Sequence, residues 1–193
     1  MISAIILAAG ESKRMGHPKM LLPWGNRTVL GQVILVLQAS GLEDIVTVTG
    51  GFREQVEEVA QRHKSRVVFN AEYAGSEMLI SIQLGIAALQ SEAEAVLICL
   101  GDQPQVQERS VRRVCEAFQR SRSNLVIPSH QMRRGHPWLV ARPLWDEILN
   151  MQPPQSPRDF LNRHSKEIEY VVTDNPSILE DLDTPEDYLK FKP

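Results

Sequence analysis

Short apolar runs of strand length alternate with segments whose apolar residues recur at helical spacing, from the first residues to about position 128. Residues 3–7, Ile45–Thr49, Arg66–Phe69, Ala95–Leu100 and residues 125–127 read as strands. Between them, Leu30, Ile34 and Leu37, then Val56, Val59 and Ala60, mark two helices. Leu79, Ile82, Ile86 and Leu89 mark a third, and Val111, Val114, Cys115 and Phe118 a fourth. Such a rhythm has few solutions. Parallel strands need a crossover between them, and helices must cover both faces of the sheet. The expected fold is a three-layer α/β/α Rossmann-like domain with a mostly parallel central sheet.

Beyond residue 128 the pattern loosens. Trp138–Ala141 and Ile168–Val172 are expected strands, with a short helix near residues 143–150. Ser156, Pro157 and Asp159 form a helix-start signature, as do Thr184, Pro185 and Asp187. A chain of 193 residues supports one domain with a sizeable core and is short for two.

In open α/β sheets ligands bind beyond the carboxyl ends of the strands. The first such end is the most informative. The run through Leu7, Ala8 and Ala9 stops at Gly10, and a loop follows through Ser12 to Gly16 and Lys19. Glycines at both ends let backbone N–H groups approach anionic oxygens, while Lys13, Arg14 and Lys19 supply cations. This is a nest for a polyphosphate, and its cations suit a departing pyrophosphate. It is not a kinase-type P-loop, because Gly16 is followed by His17, Pro18 and Lys19. Nor is it a dinucleotide fingerprint, which needs a third glycine.

Asp102 follows the apolar Ala95–Leu100 run, between Gly101 and Gln103. A carboxylate there is costly unless paired, and a divalent cation is a natural partner; capping of the following helix is the simpler alternative. Asp183 sits just before the Thr184 helix start, at the end of a strand-like element, and the cap does not account for it. Gly75 and Ser76 fit a helix N-terminus, whose free N–H groups favour anions. Arg133, Arg134 and His136 form a basic turn suited to a phosphate-bearing acceptor. The other histidines have no metal-ligand spacing.

The stretch Leu7-Ala8-Ala9-Gly10, Arg14-Met15-Gly16, Lys19 and Leu22-Pro23 resembles the signature loop of the nucleotidyltransferase superfamily. It is most similar to the molybdenum cofactor cytidylyltransferases and the related molybdopterin-guanine dinucleotide synthases. The resemblance implies a GT-A-like nucleotidyltransferase fold in a single domain, with an NTP-binding part over about residues 1–105 and an acceptor-binding part over about residues 106–193. It implies nucleotide contacts from Leu7, Ala8, Ala9, Gly10, Ser12 and Gly101. Further contacts are implied from Asn70, Gly75, Ser76 and Ser81, which fall in the family's base-and-sugar segment. It makes Asp102 and Asp183 ligands of Mg²⁺, with Mn²⁺ as an alternative, and Arg14, Lys19 and Asp102 the catalytic set. Arg134 and His136 fall in a segment that lies beside the acceptor. The expected reaction joins CMP from CTP to molybdopterin cofactor. The alternatives are GTP as donor, a different acceptor such as a sugar phosphate, or a nucleotide-binding cofactor chaperone. Ala9, rather than a second glycine, narrows the pocket and favours the smaller base. A molybdoenzyme or its maturation chaperone is an expected partner.

The formal net charge of −3 gives no basic field for nucleic acid. The N-terminal apolar run is too short to span a membrane and lacks a charged leader. Cys99 and Cys115 are too few for a disulfide framework and lie in apolar runs. A cytoplasmic protein that engages neither membrane nor nucleic acid is expected.

Overall fold

A computed structural model describes residues 1–75 and 78–193. The strands are β1 (Ile2–Ala8), β2 (Pro23–Trp24), β3 (Arg27–Thr28), β4 (Ile45–Thr49), β5 (Arg66–Phe69), β6 (Ala95–Leu100), β7 (Leu125–His130), β8 (Arg133–Arg134), β9 (Trp138–Ala141) and β10 (Ile168–Val172). The helices are α1 (Val29–Ala39), α2 (Arg53–Arg62), α3 (Met78–Ala87), α4 (Glu108–Ser121), α5 (Trp145–Asn150), α6 (Pro157–Arg163) and α7 (Pro185–Phe191).

The main sheet runs in the order β10-β7-β9-β6-β1-β4-β5, with β8 paired to β7. β6 is the middle strand of this order, and β1 beside it is parallel to both β4 and β6. Besides the two-residue β8, which is antiparallel to β7, one strand runs the other way: β9, antiparallel to both β6 and β7. Its first residue, Trp138, therefore stands at the edge where the parallel strands end. β2 and β3 form a separate hairpin.

Alternation along β1 builds two cores. Ala4, Ile6 and Ala8 face a cluster made with Leu30 and Ile34 of α1, Val56 of α2 and Val111 and Val114 of α4. Ile5 faces the opposite cluster, with Leu79 and Ile82 of α3, Ile148 of α5 and Phe160 of α6. Most of these side chains are fully enclosed, and burial of each Leu or Ile contributes about 1.5–3 kcal/mol. Gly85 of α3 lets the helix lie against Ile5, since a Cβ there would stand 2.9 Å from Ile5 Cδ1. A third cluster joins Met15 of the first loop and Trp24 to Leu182, with Tyr188 and Phe191 of α7 packed against it. The C-terminal segment is thereby tied to the loop after β1.

Both helix-start signatures form reciprocal capping boxes, Ser156 with Asp159 and Thr184 with Asp187. Several boundaries differ from expectation. α3 ends at Ala87, before Leu89. β7 continues through Pro128 to His130 and turns into β8 through Gln131 and Met132, both at positive φ. No strand precedes Asp183; a turn of 3₁₀ helix at Pro176–Leu179 and an extended link stand there instead. Cys99 and Cys115 are free and buried, and burial drives both thiol pKa values up, that of Cys115 to about 11. Among the described residues no helix is long and apolar enough to cross a membrane.

Candidate active site

The loop after β1 is shaped by its own residues. Ser12 takes a left-handed conformation at φ 54°, and its carbonyl oxygen accepts from Met15 N and Gly16 N at 3.0 and 3.2 Å. Its hydroxyl accepts from Lys19 N at 3.1 Å. Lys19 is thus fixed at both ends of its reach: backbone on Ser12, ammonium on acid groups. Ala9 is held from the other side, its carbonyl oxygen accepting from Gly51 N at 3.0 Å. Gly50 is obligatory at that approach, because a Cβ would lie 2.5 Å from the Ala9 oxygen. Among the described residues, its chain neighbours aside, nothing lies within 4 Å of where a Gly10 Cβ would stand, so this corner is open to a ligand. Leu7 accepts from Gly101 N at 3.0 Å, which binds the β6 end to the β1 end.

Three loops meet at the Lys19 ammonium. It donates to Asp102 Oδ2 in a short ion pair and lies 3.4 Å from Asp183 Oδ1. Arg14 reaches the other oxygen of Asp183 at 3.0 Å, from a largely exposed position. The side chains of Lys19 and Asp102 are only 13% and 14% exposed, so this pair is far less screened than a surface ion pair. Asp102 does not cap α4, whose N-cap is Gln107. Its backbone oxygen instead accepts from Leu182 N at 3.0 Å, which draws the Asp183 segment onto β6. Asp183 is oriented by the α7 capping box, since Asp187 Oδ2 also accepts from Asp183 N at 3.3 Å.

Asp181 adds a third carboxylate. Gln103 Nε2 donates to it at 2.6 Å. Burial pushes its pKa up, and the neighbouring Asp102 adds to the effect. The sequence offered a signal for it, an Asp-x-Asp spacing, but no way to separate it from a solvated helix entry.

The remaining expected residues fall in two places. Asn70 and Ser81 are brought together, Nδ2 of Asn70 donating to Ser81 Oγ at 3.0 Å, and they clamp the end of β5 to α3. Gly75 lies in the turn before α3. Ser76 lies outside the described residues. Arg134 and His136 stand apart from the Lys19 cluster. Arg134 donates to Tyr170 Oη at 2.9 Å and to Asn162 Oδ1 at 3.3 Å. His136 stacks on Trp138 with ring centroids 4.3 Å apart, and its Nδ1 lies 3.3 Å from the Ile98 carbonyl oxygen. Burial pushes the His136 pKa down to about 4, despite the opposing pull of that carbonyl. The ring is therefore neutral at pH 7, and it serves as a packing and hydrogen-bonding group rather than a cation.

The donor set suits a hard cation. Oxygens of Asp102 and Asp183 converge on one position, and an ammonium already stands there as the positive charge. Mg²⁺ and Mn²⁺ take one or two carboxylates and complete their shell with phosphate oxygens and water. Among the described residues no group of three or more His, Cys, Asp or Glu side chains is arranged to hold a metal alone. A metal here would share its coordination with a ligand.

Cations and backbone donors beyond one strand, faced by carboxylates from two other segments, are the plan of a nucleotidyltransferase on a Rossmann-like sheet, and this is the class of the protein. Residues 4–168 match the family model of the MobA-like NTP transferase domain, and the chain belongs to that family. The molybdenum cofactor cytidylyltransferase of Escherichia coli (strain K12) is 31% identical over 197 residues, covering 99% of this chain and 95% of the relative. The nicotine blue oxidoreductase of Paenarthrobacter nicotinovorans is 28% identical over 193 residues, covering 96% and 93%. Among solved structures, Rv0371c from Mycobacterium tuberculosis H37Rv superposes with a TM-score of 0.85 at 25% identity, covering 98% of this chain and 96% of that one. The same protein has been solved in complex with manganese, and superposes with a TM-score of 0.82 at 24% identity.

Proposed function

We propose that this nucleotidyltransferase joins CMP from CTP to molybdopterin cofactor and releases pyrophosphate. The observation that carries the reading is the meeting of Lys19, Asp102 and Asp183 beside the open corner at Gly10. The full-length likeness to a molybdenum cofactor cytidylyltransferase supports the choice of substrates.

The triphosphate lies over the backbone donors that follow Ala9, with Arg14 and Lys19 on its β- and γ-phosphate oxygens. A terminal phosphate oxygen of the acceptor attacks the α-phosphorus in line. The bond from that phosphorus to the bridging oxygen breaks, and pyrophosphate leaves with the electron pair. The acceptor is already an anion, so no general base is required. The work of the protein is to align two anions and neutralise them. A divalent cation, Mg²⁺ or Mn²⁺, would be held by Asp102 and Asp183 and would neutralise phosphate charge. Lys19 then moves its ammonium from the carboxylates to the phosphates. The Ala9 methyl, which lies against Gly50 at the end of β4, is the group held to limit the room for a purine.

The test is pyrophosphate release with molybdopterin cofactor, comparing CTP, GTP, ATP and UTP in Mg²⁺ and Mn²⁺, with Asp102→Ala as control. CTP-selective release lost in the variant is expected. GTP selectivity overturns the reading of Ala9. Tight CTP binding without release from any nucleotide overturns the acceptor.

A further inference from the structure

Residues 180–183 carry both Asp181 and Asp183 and lead into α7, yet they belong to no helix or strand. A segment without a ladder of its own is placed by whatever grips it. Here the grip comes from the turn after β6, which meets the segment in reverse order. The Asp102 carbonyl oxygen accepts from Leu182 N at 3.0 Å. Gln103 Nε2 donates to Asp181 Oδ1 at 2.6 Å, and Gln105 Nε2 donates to the Glu180 carbonyl oxygen at 2.8 Å. Gln103 Nε2 also lies 3.5 Å from the Ile178 carbonyl oxygen. The carboxylate that pairs with Lys19 and the amides that hold the facing segment thus come from one short turn.

Both amides are retained at a cost. Gln103 is only 3% exposed. Among the described residues, neither its Oε1 nor that of Gln105 has a hydrogen-bond partner, although both atoms are buried. A buried acceptor left unpaired loses its hydration without replacement, and methionine would fill similar space without that loss. Packing therefore does not account for two glutamines here, whereas their donors do. Leu182 is fully buried against Met15 and Trp24 and fixes the depth of the segment. Apolar burial has no direction, however, and hydrogen bonds do.

We propose that Gln103 and Gln105 are positioning residues for Asp183. They hold residues 180 and 181 against the end of β6 and so keep the Asp183 carboxylate facing that of Asp102. Neither glutamine is a ligand; the Asp181 side chain and the Glu180 backbone are their handles. The need is plain once phosphate binds. Lys19 bridges the two acids only until its ammonium moves to phosphate, and the Asp187 contact ties Asp183 to α7 rather than to β6. The inference rests on the proposed function and its metal site, and names the residues that shape that site.

The experiment is Mn²⁺ binding followed by electron paramagnetic resonance, with CTP affinity measured by calorimetry in the absence of metal. The variants are Gln103→Met and Gln105→Met, each alone and together with Asp183→Asn. Metal-free CTP affinity within twofold of wild type certifies the fold, and either variant alone can carry the test. Each is expected to weaken Mn²⁺ about tenfold, as losing a hydrogen bond behind a metal ligand does. With Asp183→Asn already present, the same substitutions are expected to weaken Mn²⁺ by less than twofold. The metal concentration for half-maximal pyrophosphate release rises, while KM for CTP stays unchanged. Wild-type Mn²⁺ affinity in both variants overturns the proposal. So does an equal loss with and without Asp183→Asn, since the glutamines would then act on the fold at large. The expected Mn²⁺ pattern without pyrophosphate release from any nucleotide upholds the glutamines and overturns the transfer reaction. Release from CTP with unchanged Mn²⁺ affinity in both variants upholds the reaction and overturns the glutamines.

Discussion

The Lys19 ammonium stands between the carboxylates of Asp102 and Asp183, paired with the first and 3.4 Å from the second. In this arrangement one ammonium of the loop after β1 is shared by both acids of the candidate metal site, and Arg14 adds a second cation on Asp183. The same ammonium cannot serve phosphate and carboxylates at full strength together.

Lys19→Met leaves the two carboxylates without their ammonium. Pyrophosphate release is expected to fall by about 100-fold or more, the usual effect of removing one electrostatic stabiliser of a reacting group. Binding of Mn²⁺ to the nucleotide-free protein, followed by electron paramagnetic resonance, is expected to tighten in the same variant. An unchanged or weaker Mn²⁺ affinity would show that the ammonium and the metal do not compete.

Gly50→Ala places a methyl 2.5 Å from the Ala9 oxygen and 2.6 Å from Tyr73 Cβ. The β4 end and the nest must separate to admit it, at a cost of about 1–3 kcal/mol. The variant is expected to melt lower and to bind CTP at least tenfold more weakly, read by thermal denaturation and calorimetric titration. A variant with wild-type CTP affinity would remove Gly50 from the argument.

Ala9→Gly deletes the methyl held to limit the base. The ratio of GTP to CTP turnover is expected to rise by about tenfold, the low end of what one methyl(ene) group discriminates. Competition between the two nucleotides in one reaction reads this directly, and an unchanged ratio places base selection elsewhere.

His164 Nε2 donates to Glu147 Oε2 at 2.7 Å, fastening the C-terminal end of α6 to α5. Burial opposes the charge of His164, but its bonds to Glu147 and Glu167 outweigh that and raise its pKa above 6.5. For Glu147 burial is likewise outweighed, by His164 and Arg163, and its pKa falls. The raised histidine contributes stability that is complete below its unfolded pKa and vanishes as pH rises through the folded one. Glu147 must stay ionised, so the contribution holds from the carboxylate range up to that point. With Glu147 one-third exposed, the pair is worth about 0.5 kcal/mol. His164→Gln is expected to lower Tm more at pH 5.5 than at pH 8.5; an equal loss at both would make the contact one of packing alone.

Most of the parallel half was legible because its signals are local. Ile45–Thr49 and Arg66–Phe69 are strands at the expected bounds, and both capping boxes formed where serine or threonine, proline and aspartate stand at the required spacing. The continuation of β7 past Pro128 was not legible, because a proline and a polar tail mask a strand that only its partners β8 and β10 define. Asp102 and Lys19 were each visible as chemistry, but their contact spans 83 positions and depends on the packing of the β1 and β6 ends. Arg134 was visible as part of a basic turn, but its meeting with Tyr170 and Asn162 was not, since a strand face and a helix face acquire common purpose only when they meet.

The reversed strand β9 carries a consequence for how such a protein changes over time. In an all-parallel sheet, every loop at the ligand edge comes after a strand. Here the Gly135-to-Trp138 segment arrives at that edge before its strand, so chain running the opposite way is inserted among the ends of the parallel strands. That segment and the Gly10-to-Lys19 loop are written in different stretches of sequence, joined at the edge through Ile178 and the chain that leads to Asp183. Under the proposed function, substitutions beside Trp138 are expected to change the acceptor while the Gly10-to-Lys19 loop keeps its donor, which makes the molecule a two-part lock whose wards can be recut one at a time.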